Sequence, residues 1–185
     1  MTVTEAERDL FLNAAPMYLR CWLLLCSDLA LRSGTAARVA PENYDAERKE
    51  LSMVTKAGRV IHLPVTGELQ RLFDAIPHTG EPRRPVDTKT PYPNQLHNRK
   101  LAEISVTMLR ENFARLRKSL GVTRNLRPHD LRRTTAVKAY ELTGDLRMVQ
   151  AILGHSQLRS TLQYLDHRNQ KVQPGLIEHL AKRTP

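Results

Sequence analysis

The chain has 185 residues, 41% of them hydrophobic and 26% charged, with a formal net charge of +10. That length carries one well-buried domain or at most two very small ones, and the apolar fraction excludes a disordered chain. The charge is one-sided: residues 1–97 hold 12 Lys/Arg against 12 Asp/Glu, whereas residues 98–185 hold 17 against 7, a surplus expected where a polyanion, most often nucleic acid, is met.

Residues 4–31 read as two helices parted near Ala14–Pro16, the second so apolar that it is a candidate core helix. Its run YLRCWLLLCSDLALR contains Arg20 and Asp28 and is too short and too charged for a membrane span. Cys21 and Cys26 lie inside that run as small buried thiols, with no partner at metal-ligand or disulfide spacing. No basic and apolar leader precedes it, so a reducing, cytoplasmic setting is the expectation.

Gly34 allows a turn, and Pro41-Glu42-Asn43 makes another. Leu51–Thr55 and Arg59–Val65 are rich in Val, Ile and Leu, with Lys56–Gly58 between them, which is a hairpin signal. Thr66 can cap a helix through about Ile76 that has Leu69, Leu72 and Phe73 on one face. Residues 76–103 are rich in proline, glycine and charge without periodicity and predict an exposed loop. Helices resume over Ile104–Leu120 and continue, leaving residues 170–185 as a C-terminal tail. The fold class is mainly α with a small antiparallel β-sheet (α+β).

Three helices near the end carry the chemistry. In HDLRRTTAVKAYELTG the residues His129, Arg132, Ala136 and Ala139 share one face, so Arg132 points where the small apolar residues point. An inward arginine is costly unless it meets an anion or a full set of acceptors. Arg133, about 100° further round, is free to be a surface charge. Pro128 suits the start of this helix and Gly144 its end. Asp145 can cap the next helix, whose Leu146, Val149 and Leu153 form an apolar stripe that Gly154 ends, putting His155 on a turn. In the last helix Leu158, Leu162 and Leu165 make the expected core stripe, with Tyr164 about 100–120° from its centre.

These residues resemble the catalytic domain of the tyrosine recombinase (phage integrase) family. The block RPHDLRRTTAVKAYELTGDLRMVQAILGHSQLRSTLQYLDH is similar to that family's most characteristic segment along its whole length. LALRSGTAARVAPEN is similar to its leucine-arginine segment and VTKAGRVIHLPV to its lysine-bearing hairpin, so the resemblance runs from about Met1 to Arg168. Separated pieces in the family's order are far more specific than any one motif. The resemblance implies that Arg32 and Arg132 bind phosphate, that His129 and His155 are the two histidines, that Lys56 is the hairpin lysine and that Tyr164 is the nucleophile. It also implies a tyrosine recombinase catalytic-domain fold over residues 1–185, double-stranded DNA as partner and a homotetramer on paired sites. Residues 1–31 match only the domain's own first helices, so the family's separate DNA-clamping domain is expected to be absent, the chain being a minimal recombinase or a fragment. Thr35 stands where the family commonly has an acidic residue, which puts the orientation of the histidine and arginine cluster in question.

The chemistry suits those residue types. Transfer of a phosphodiester to a hydroxyl passes through a five-coordinate phosphorus with charge on its equatorial oxygens, which two guanidinium forks bind bidentately. Phenol ionisation costs about 4 kcal/mol at neutral pH, and positive charges lower that cost. Either His129 or His155 can take the proton, and Lys56 is the natural acid for the leaving 5′ oxygen. The charge the arginines carry makes a metal unnecessary, and a 3′-phosphotyrosyl link stores the bond energy so that no ATP is needed; no cofactor is expected. A type IB topoisomerase-like relaxing enzyme and a non-enzymatic DNA-binding regulator are the alternatives.

Overall fold

A computed structural model describes residues 2–40, 43–54, 58, 60–65, 67–74, 86–87 and 105–165. The expected C-terminal tail, Lys56 in its hairpin turn and the Thr66 cap lie outside the described residues.

The first helix, α1 (Glu5–Ala14), begins at Thr4, whose hydroxyl accepts from the Glu7 amide while Glu7 Oε2 accepts from the Thr4 amide, a reciprocal cap. After Pro16, α2 (Met17–Ser27) buries nearly every residue from Leu19 onward, as its apolar run predicts. It packs against α1, α3 (Ser33–Ala36), α4 (Gly67–Asp74), α5 (Val106–Ser119) and α6 (Pro128–Thr143). The central place of α2 follows from its composition, because a helix that is apolar all round is stable only when covered on every side. Phe11 and Phe113 meet edge to face at 5.0 Å beside it. Cys21 and Cys26 are free and buried, their thiols pushed up to about 12 by desolvation. No described helix is long and apolar enough to cross a membrane.

The sheet is built on β2 (Glu50–Val54), paired antiparallel along its length with β3 (Val60–Pro64), from Glu50 opposite Pro64 to Val54 opposite Val60. β1 (Tyr44–Asp45) pairs antiparallel with the start of β2, and β4 (Val86–Asp87) pairs parallel with Met53 and Val54. Leu51 and Met53 of β2 alternate inward and join the core with Leu69 and Phe73 of α4. The predicted hairpin and α4 are thus present.

Three local expectations need correction. Gly34 is not a turn: it lies inside α3, and the chain turns at Asp28 and Leu29 instead, ahead of Ala30 at φ 50°. The predicted loop over residues 76–103 contains β4, since Val86 and Asp87 find the open edge of β2; the rest of that segment is outside the described residues. The last helix, α8 (Leu158–Leu162), is shorter than its leucine spacing suggested. Leu158 is 41% exposed, whereas Thr161 and Leu165 are buried. Helical periodicity cannot run to Leu165 when the helix stops at Leu162, and Tyr164 therefore sits in the turn beyond α8.

Candidate active site

Each end of the two helices before α8 is fixed by its sequence. Pro128 opens α6, Asp130 accepts from the Arg127 amide at 2.8 Å, and Gly144 closes the helix in the left-handed conformation at φ 65°. Asp145 then caps α7 (Leu146–Ile152) by accepting from the amides of Arg147 and Met148. Gly154, at φ 58°, turns the chain so that His155 leaves α7 toward α6. Gln150 holds that turn twice, accepting from the His155 amide at 3.1 Å and donating its side-chain amide to the His155 carbonyl at 2.9 Å.

Arg132 is only 2% exposed, and its surroundings supply the acceptors that an inward arginine requires. Nη1 donates to the Ala30 carbonyl, and Nη2 donates to the Leu153 carbonyl at 2.7 Å and lies 3.2 Å from His155 Nε2. Ala30 takes a left-handed backbone at φ 50°, costly for a residue with a Cβ, and in doing so presents its carbonyl to the guanidinium. The Nε–H of Arg132 is buried and has no acceptor among the described residues.

Tyr164 stands over this cation, with the Arg132 Cζ 5.6 Å from the ring centroid. Its hydroxyl is 2.6 Å from His129 Nε2, and its ring lies 5.0 Å from that of His129 and 5.3 Å from that of His155. A cleft of 410 Å³ is lined by Arg32, His129, His155 and Tyr164, with Arg133, Ser160 and Gln163 around them. A second, of 440 Å³, shares Arg32 and His129 and adds Arg132, Arg38 and Arg110. Five of the six residues singled out from sequence are therefore brought together; Lys56 is outside the described residues.

No carboxylate is among the described lining residues of either cleft. The electrostatic consequence falls on the histidines. Burial, then the Arg132 and Arg32 guanidiniums, push His155 down to about 4. Desolvation and Arg132 also hold His129 below the ordinary imidazole range, with Asp130 opposing. Both rings are neutral at pH 7. Burial lowers the Arg132 pKa as well, but a guanidinium keeps its charge. Among the described residues no three His, Cys, Asp or Glu side chains are disposed to hold a metal ion.

Sequence reasoning missed Thr161, Gln150, Ala30 and Arg110. Arg110 donates to the Ser33 hydroxyl at 2.8 Å, and the Trp22 indole donates to the Ser33 carbonyl at 2.9 Å, so the residue after Arg32 is held from two sides. Ala30 and Arg110 act across 102 and 77 residues of sequence, and Gln150 and Thr161 through turns whose side-chain directions no periodicity records.

The site is thus a basic cleft of a mainly helical domain, lined by a tyrosine and two neutral histidines with the buried Arg132 against them. The phage integrase family model matches residues 2–171, and the chain belongs to that family. It is 26% identical over 146 residues to the tyrosine recombinase XerC of Chlamydia pneumoniae, covering 78% of this chain and 46% of that protein. It is 27% identical over 188 residues to tyrosine recombinase XerC 1 of Ralstonia nicotianae, covering 96% and 52%. The chain thus spans about half the length of the curated relatives it matches. In fold it is similar to the XerA recombinase, with a TM-score of 0.69 at 17% identity over 100% of this chain and 66% of that one. It is similar also to the Tn1549 transposon integrase in complex with transposon right end DNA, with a TM-score of 0.71 at 18% identity over 98% and 66%.

Proposed function

We propose that residues 1–185 form the catalytic domain of a site-specific DNA recombinase that cleaves and rejoins duplex DNA through a 3′-phosphotyrosyl link at Tyr164. The observation that carries this reading is the 2.6 Å contact between the Tyr164 hydroxyl and Nε2 of a neutral His129, over the buried charge of Arg132. Family membership and the larger hydrophobic cluster, which joins Val3 to Leu131, support it.

In the proposed step the Tyr164 oxygen attacks the scissile phosphorus and gives its proton to His129 Nε2. The geometry favours His129 over His155 as base, since His155 Nε2 faces Arg132. Arg32 and the remaining N–H groups of Arg132 neutralise the equatorial oxygens. The bond from phosphorus to the 5′ oxygen breaks, and that oxygen takes a proton from Lys56. The phosphotyrosyl ester keeps the bond energy, so a second 5′ hydroxyl reverses the step without ATP, and the arginines supply the charge a metal would otherwise carry. Paired duplex sites held by a homotetramer are the proposed setting.

A nicked suicide substrate tests the proposal. Wild-type protein in EDTA without ATP is expected to form a covalent 3′ adduct, and Tyr164→Phe none. Adduct in the phenylalanine variant, or none in wild type, refutes the assignment. Strand exchange between two labelled sites, rather than plasmid relaxation alone, is the expected outcome of the full reaction.

A further inference from the structure

Arg132, His155 and Thr161 form a chain of polar contacts whose proton positions are dictated by elimination. A guanidinium has five N–H donors and no acceptor. Arg132 Nη2 is 3.2 Å from His155 Nε2, so that ring nitrogen must present its lone pair. In the neutral ring the proton then sits on Nδ1, and Nδ1 faces the Thr161 hydroxyl at 3.1 Å. Thr161 is fully buried, and so is the contact.

We infer that Thr161 is a positioning residue: by accepting the Nδ1–H it fixes the tautomer in which His155 is an acceptor clamp on Arg132. The clamp has a consequence for the arginine. With the Ala30 and Leu153 carbonyls, His155 engages three of the five N–H groups of Arg132. The Nε–H and one Nη1 hydrogen are left outside these three contacts. While clamped, His155 has no Nε2–H to give a phosphate oxygen. The absence of a carboxylate from the described lining, with Thr35 at the position where an acid was expected, fits a neutral hydroxyl as the partner of this ring. The importance of the clamp to catalysis rests on the function proposed above; the tautomer itself does not.

Imidazole nitrogen NMR on the 15N-labelled full chain without DNA reads the tautomer directly, with His155→Gln identifying the signals. The expected result at pH 7 is a proton on Nδ1 and a bare Nε2. A proton on Nε2, or on both nitrogens, overturns the inference. Thr161→Val keeps the volume and Thr161→Ala avoids any clash; both are expected to lose the protected Nδ1–H signal and to slow adduct formation at least about tenfold. Thr161→Ser is expected to restore both. An unchanged Nδ1–H signal in either hydroxyl-free variant also overturns it. If wild type forms no adduct yet His155 carries its proton on Nδ1, the catalytic reading falls and the tautomer stands. If wild type forms the adduct while His155 is protonated on Nε2, the catalytic reading stands and the tautomer falls.

Discussion

At the scale of single residues, the site is governed by one buried cation. Arg132 would be costly in the interior without acceptors, and the backbone supplies two of them, one from a strained alanine. The same cation shapes its neighbours, because no described carboxylate in the clefts offsets it. His155 is the clearest case, with its pKa pushed down to about 4. The sign of the resulting pH dependence follows from proton uptake. Between about pH 6.5 and pH 4 an unfolded chain binds a proton that the folded His155 refuses, so stability falls as pH falls through that window, by up to about 3 kcal/mol. Urea midpoints measured from pH 6.5 to pH 4.5 are expected to drop in wild type, and His155→Gln is expected to flatten the part due to this ring. Equal slopes in the two proteins contradict the assignment.

At the scale of elements, the helix ends do the positioning. Gly144 and Gly154 both close helices in the left-handed region, and neither has atoms near enough to obstruct an added Cβ. An alanine at either position is therefore strained only through its backbone, by about 1 kcal/mol. The consequences for function differ. Gly154→Ala acts one residue from His155 and is expected to lower adduct formation, while Gly144→Ala costs similar stability and leaves the reaction nearly intact. Paired measurements of Tm and adduct rate check this, and an equal loss of rate in both variants contradicts it. These ends were legible in the sequence, because Pro128, Gly144, Asp145 and Gly154 are local signals acting through local backbone geometry. α8 was not, since its leucine spacing reads as a helix running to Leu165. The helix stops at Leu162 and buries Thr161 against His155, a preference set by a neighbour rather than by period.

At the scale of the whole molecule, two clusters of apolar residues divide the work. The larger, around α2, joins the sheet, α4 and α5. The smaller, of Ala30, Ala136, Val149 and Leu153, lies beneath the site with Tyr164 packed on it. The tyrosine is thus supported from below by small residues and left open at its hydroxyl. The basic surplus of residues 98–185 belongs to the half that carries α6, α7 and α8. Duplex binding is accordingly expected to weaken roughly a hundredfold between 50 and 200 mM salt if about four phosphates are neutralised. Fluorescence anisotropy on labelled duplex measures that slope, and a salt-independent affinity contradicts phosphate-led binding.

The sequence by itself determined which elements form, which residue types meet and the sign of the surface, because caps, periodicity and charge are properties of short stretches of chain. It also singled out Arg32, His129, Arg132, His155 and Tyr164. Only the tertiary structure decided that His129 rather than His155 faces the tyrosine hydroxyl, that Ala30 and Leu153 hold Arg132, and that Thr161 meets His155. Those choices depend on side chains meeting backbone carbonyls and other side chains up to 102 residues away in sequence, and no local pattern records such an approach.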